Sequence, residues 1–181
     1  MTLKNLLSIT LFTIILSAYT QDVKEENTKM DAFASKIGVI VKFIDYSLPN
    51  LKLTYGVAEV NVRKMISGGE EGFFFQISHE GQYGTKTASI AYEDLLEINK
   101  AISALKNEAQ ADIDLNPDYL ENKFRTEDGF QLGYYISKGK IAWYLKLEKY
   151  GSGNTIFVNQ LSLIEASIQE GLSKIESLRN K

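Results

Sequence analysis

A lone histidine, His79, sets the first limit on chemistry in this 181-residue chain. A Ser-His-Asp triad must centre on it, and a metal site built from several His or Cys ligands lacks both a second histidine and any cysteine. His79 stands at a strand end beside the Glu80-Gly81 turn, the usual setting of an exposed loop histidine, so catalysis through it is not expected. The segment Asp112-x-Asp114-x-Asn116-Pro117-Asp118 places oxygen ligands at alternate positions, as a calcium loop does. Pro117, however, stands where the sharp turn requires glycine, and Lys123 stands where the bidentate glutamate belongs, so the segment reads as a solvated acidic linker. Gly68-Gly69 joins two strands and does not open a helix, which removes the glycine-rich phosphate cradle. Paired carboxylates for glycoside hydrolysis stay open, because their separation in space is not written in the sequence. The expectation is a non-enzymatic protein with no cofactor and no metal.

The second kind of chemistry is contact. In period-two runs the outward positions include Phe74, Tyr135 and Tyr144, with Arg63 nearby and Lys146 two places after Tyr144. Aromatic faces of this kind stack on bases or anchor a protein interface. The chain carries 20 Lys+Arg against 23 Asp+Glu, so its positive charge is thin and a nucleic-acid partner is not expected. These five residues are the candidate binding set, and an unidentified protein of the cell envelope is the expected partner.

The elements that must position them begin after an export signal. Lys4 precedes an apolar run, Leu6 to Ala18, that ends in small residues and is interrupted by Ser8, Thr10 and Thr13. A membrane-spanning helix needs about 20 largely apolar residues. Residues 1–20 therefore read as a secretory signal cleaved after Thr20, leaving Gln21 first and no stable membrane insertion. The mature chain is expected in the periplasm or outside the cell. A signal-bearing chain with Gln at the mature start is similar to exported proteins of Bacteroidota-type bacteria.

Residues 21–35 are polar and aperiodic and read as a flexible leader with at most a helical turn near Met30. Folding is expected from residue 36. Ile37, Val39, Val41 and Phe43 suggest a strand apolar on both faces, broken by Ser47 to Asn50 around Pro49. Val60 and Val62, then Phe73, Phe75 and Ile77, then Ala88 and Ile90 continue a four-strand meander. Leu95, Ile98, Ile102, Leu105 and Ala109 recur at helical spacing. After a linker at Ala111 to Pro117 the sequence offers four more strands: Tyr119 to Thr126, Phe130 to Ser137, Ile141 to Tyr150 and Thr155 to Val158. A closing helix carries Leu161, Ile164, Ile168, Leu172, Ile175 and Leu178, with Ser162 and Glu165 suited to a capping box.

The two halves correspond. Ile66-Ser67-x-Gly69 matches Ile136-Ser137-x-Gly139 seventy places on, and Phe73 to Ile77 lie over Trp143 to Leu147 at the same offset. Tyr83-Gly84-Thr85 meets Tyr150-Gly151-Ser152, and Leu95, Ile98 and Ile102 fall on Leu161, Ile164 and Ile168 at an offset of sixty-six. A four-stranded sheet with one amphipathic helix leaves an apolar face to cover, so two such units are expected to pack as one domain. The predicted fold is α+β, two tandem ββββα repeats at 36–110 and 111–181 related by a pseudo-two-fold axis. This layout resembles that of PUR domains and Whirly-type single-strand DNA-binding proteins. The resemblance implies the fold, and as an alternative function it implies nucleic-acid binding through the sheet aromatics and bases named above. A homodimer through helices or sheet edges is compatible with the same repeats.

Overall fold

The computed structural model describes residues 28–82 and 84–180. The expected signal at 1–20, its expected cleavage after Thr20, residues 21–27 of the expected leader and Tyr83 lie outside the described residues. Among those described, no helix is long and apolar enough to cross a membrane.

The predicted class is realised: two four-stranded antiparallel meanders, each followed by a helix. Sheet A contains β1 (Val41–Lys52), β2 (Val57–Ser67), β3 (Glu70–Gly81) and β4 (Gly84–Ala91), in that order. The helix α2 (Tyr92–Asp114) follows. Sheet B contains β5 (Tyr119–Arg125), β6 (Gln131–Ser137), β7 (Lys140–Lys146) and β8 (Thr155–Val158), and α3 (Leu161–Arg179) closes the chain.

Each sheet turns its alternate apolar residues to a common interior. Val60, Val62, Phe75, Ile77 and Ile90 of sheet A share one core with Leu132, Tyr134, Ile136, Leu145 and Ile156 of sheet B. Leu95, Ile98, Ile102 and Leu105 of α2 and all six predicted stripe residues of α3 are buried in it. The helices cross between halves, α3 lying against β1 and β2 while α2 lies against β5 and β6. Gly171 lets α3 approach sheet A closely, since a Cβ there would stand 2.4 Å from the Phe75 ring.

Four local expectations are corrected. Residues 28–35 are not a flexible leader: Lys29–Ala34 form a helix, α1, started by a capping box in which Thr28 and Asp31 satisfy each other's backbone N–H. It packs Met30, Phe33 and Ala34 on the outer face of sheet A. The first strand begins at Val41, leaving Ile37 and Ile40 exposed, and Phe43 is about half exposed because β1 is an edge strand with its outer face only partly covered. Pro49 does not end β1 but sits in an irregularity between Leu48 and Leu51, which an edge strand tolerates because no neighbour needs the missing N–H. The helix α3 starts at Leu161 behind Gln160 with no side-chain cap, and Glu165 instead pairs with Lys106 of α2 at 2.9 Å.

Candidate functional site

The five candidate residues fall on the outer faces of the two sheets, and those faces have diverged. Outward on sheet A, Phe74 is buried with Met65 and Ala91 beneath α1, its ring edge-on to Phe33 at 6.2 Å. It is no stacking platform: the helical segment read as a leader covers it. Gly72, opposite Met65, makes room for this, because a Cβ there would be 3.2 Å from the Phe33 ring. Arg63 lies beside Phe74 in the register and donates through Nε and Nη2 to the two Asp45 oxygens, each at 2.7 Å. Those charge-assisted bonds hold the Asp45 carboxyl below its ordinary range and raise the Arg63 guanidinium.

Tyr135, Tyr144 and Lys146 lie together on the outer face of sheet B. Tyr135 stacks at 6.2 Å on Tyr119 of β5 and stands edge-on to Phe157 of β8, also at 6.2 Å. Tyr144 lies between Gly133 on β6 and Phe157 on β8 in the register, and its hydroxyl donates to Glu121 Oε1 at 2.6 Å. Gly133 is required there, since a Cβ would come within 2.4 Å of the Asn122 carbonyl oxygen. The Tyr144 bond, with a smaller contribution from Lys123, lowers the Glu121 carboxyl, while burial and the facing carboxylate raise the Tyr144 phenol. Tyr119 is 62% exposed and Phe157 42%, whereas Tyr144, expected as an open contact residue, is buried at 5%.

Transferring the α1 seat of sheet A by the internal repeat lands on these same aromatics. Met65 becomes Tyr135 and Phe74 becomes Tyr144 at the offset of seventy, and Ala91 becomes Phe157 at sixty-six. Val41, which packs against that seat, faces Ser67 as Tyr119 faces Ser137. A helix covers the first set, whereas no described element plays that part for the second. Strand register also puts Lys123, Arg125, Lys140 and Lys146 on the open face of sheet B, against the single carboxylate of Glu121. Tyr119 and Phe157 escaped sequence reasoning, although the repeat offset could have found them once the seat of α1 was known.

The remaining chemical candidates are absorbed by the fold. Asp112 and Asp114 end α2, where Asp112 accepts the Tyr134 hydroxyl at 2.6 Å and Asp114 accepts the Gln110 amide at 2.8 Å. Burial first, and then that carboxylate, push the Tyr134 phenol up to about 12. Among the described residues no group of three or more His, Cys, Asp or Glu side chains could hold a metal. His79 places Nδ1 3.3 Å from the Val57 carbonyl oxygen, a strand-end contact.

No protein-family model matches the chain, and no curated protein and no solved structure matches it.

Proposed function

We propose that the chain is an exported, non-enzymatic binding or assembly module that docks an acidic segment of a protein partner on the outer face of sheet B. The observation that carries this reading is that exposed Tyr119 and Phe157 and half-buried Tyr135, grouped with a buried Tyr144, stand where α1 covers the matching seat of sheet A. Their cationic surround favours an acidic occupant. It disfavours a second copy meeting face to face, which would set like charges together. Aromatic anchors inside a polar rim are the composition of a protein interface.

A specific feature also favours a single-stranded nucleic acid: Arg125, Lys140 and Lys146 share one sheet face with the exposed rings of Tyr119 and Phe157, while Lys123 is paired with Glu121. The protein reading ranks first because Tyr135 is engaged by Tyr119 and Phe157 and the Tyr144 hydroxyl is tied to Glu121, so ring faces are spent on one another.

The experiment is capture from the envelope fraction of the producing cell by residues 28–181, with Tyr119→Ala/Phe157→Ala alongside and a fluorescent single-stranded oligonucleotide in parallel. One envelope protein retained at low salt and lost with the double variant supports the reading. Oligonucleotide binding that disappears in the double variant transfers the face to nucleic acid. Capture indifferent to the variant removes the face from the function.

A further inference from the structure

A cleft of about 1040 Å³ opens on the other sheet, with α1 as one wall and the connections β5–β6 and β7–β8 of the second repeat as the opposite wall. It is at the upper end of the range of roughly 300–1,000 Å³ typical of ligand sites. Its floor is the part of the outer face of sheet A that α1 leaves open, where Gln76, Thr87 and Ser89 are uncharged and Arg63 is the one charged residue. Gln76, buried at 4% exposure, donates its amide to Ser89 Oγ at 2.7 Å, and Ser78 and Thr87 share a hydroxyl pair at 2.9 Å one row further on. The cations that line it are engaged within the protein: Arg63 on Asp45, Lys29 on Asp94 at 2.6 Å, and Lys149 over the Tyr150 ring at 5.5 Å.

The far wall is a built one. Buried Asn154 donates its amide to the carbonyl oxygens of Glu148 at 2.8 Å and Tyr150 at 3.0 Å, and Glu148 accepts from the Thr87 backbone N–H at 3.3 Å. These bonds fix the segment that presents Tyr150, whose side chain is 60% exposed at the cleft. Across from it, Asp128 accepts the Lys29 backbone N–H at 2.9 Å and so ties α1 to the β5–β6 turn.

We infer that this cleft binds an uncharged, polyhydroxylated ligand, a neutral oligosaccharide. The lining sets Asp31, Glu127, Asp128 and Glu148 against Lys29, Arg63 and Lys149, a near balance that gives a phosphate, sulfate or carboxylate group no net attraction. Met30, Ala32, Phe130 and Leu147 set apolar surface beside the amide and hydroxyls of Gln76, Ser89 and Thr87, a mixture that meets both the C–H faces and the hydroxyls of a sugar. Tyr150, with the Lys149 ammonium 5.5 Å from its ring centroid, keeps 60% of its surface exposed, and that ring surface beside polar groups suits a pyranose's apolar C–H face and hydroxyl edge. The inference is separate from the reading of sheet B, since it uses the other sheet and other residues.

The test is a panel of neutral oligosaccharides, including chitohexaose, cellohexaose and maltohexaose, titrated into isotopically labelled protein spanning residues 28–181 and followed by amide chemical shifts, with a sulfated oligosaccharide for comparison. The expected result is binding of at least one neutral member, with shifts at Gln76, Ser89 and the Glu148-to-Asn154 segment. Affinity should fall about tenfold or more in Tyr150→Ala and in Gln76→Ala, and be kept in Tyr150→Phe; a tenfold loss corresponds to about 1.4 kcal/mol. Should Gln76→Ala fail to fold, the exposed Tyr150 pair still decides. Silence across the neutral panel at millimolar concentration overturns the inference, as does equal or tighter binding of the sulfated sugar. Shifts confined to sheet B overturn it too.

Discussion

Two carboxylates have environments that push their titration in opposite directions, and each gives a prediction. Glu121 is held low chiefly by the Tyr144 hydroxyl, so its contribution to stability is present above its unfolded-state pKa and is lost as pH falls through the lower folded value. Tyr144→Phe should bring the Glu121 carboxyl back toward its ordinary value and remove that acid sensitivity. Carboxyl-detected NMR titration of both proteins reads it, and an unchanged Glu121 titration would refute the assigned cause. Asp128 is the opposite case. Burial raises it, despite the bond it accepts from the Lys29 backbone. Its favourable contribution is therefore present below the unfolded pKa and is lost as pH rises through the folded one. Asp128→Asn keeps an acceptor for that N–H, so it should leave melting near pH 4 almost unchanged and raise the melting temperature at pH 7. A loss of stability at pH 7 would mean that the carboxylate's attraction to Lys29 outweighs its desolvation.

Among the elements, the long ones were legible and the short one only as a helical turn near Met30. The stripes of α2 and α3 and the strand order follow from sustained periods of 3.6 and 2, which tertiary context reinforced by burying the predicted residues. The helix α1 has six residues, too few for a period, and its Thr28–Asp31 cap is a weak mark in a polar segment. With the turn near Met30 read as part of a flexible leader and its packing on sheet A not written in the sequence, Phe74 and Tyr144 read as equivalent outward aromatics. Both rings are buried, and what differs is the cover: Phe74 packs under a segment distant in sequence, whereas Tyr144 is bonded to Glu121 on its own sheet face. The cleft was hidden for the same reason, since α1 forms one of its walls. Because Met65, Phe74 and Ala91 form a cluster apart from the main core, residues 36–181 should fold without α1. That truncated protein should melt lower and bind a hydrophobic dye at the bared patch; Phe33→Ala in the intact chain should cost about 1–2 kcal/mol for a half-buried ring. Failure of residues 36–181 to fold would make α1 part of the core. The stripes carry a stronger prediction: Ile98→Ala and Ile164→Ala should each cost about 2–5 kcal/mol in denaturant unfolding. A variant that unfolds like the original would show that its helix is not bound into the shared interior.

At the scale of the whole molecule the crossing of the helices decides cooperativity. A half taken alone would keep its own sheet but lose the helix that lies against it from the other half, exposing an apolar face. The packing is also complementary in size across the pseudo-symmetry. Gly171 sits at the α3 position that corresponds, sixty-six residues on, to Leu105 of α2, and it faces the larger Phe75, whose own counterpart is Leu145. Gly171→Ala sets about 1 kcal/mol of gained helix propensity against overpacking of about 1–3 kcal/mol, and with only 2.4 Å to the ring the overpacking should prevail. Phe75→Leu in the same chain relieves the clash, so the double variant should be more stable than the sum of the single losses predicts. Because that contact joins the sheet of one half to the helix of the other, both single variants should shift one unfolding transition of the entire chain, followed by Trp143 fluorescence for sheet B and by amide exchange for sheet A. If Gly171→Ala melted sheet A while Trp143 kept its folded signal, the repeats would be two separable domains and the shared core would not be the unit of folding.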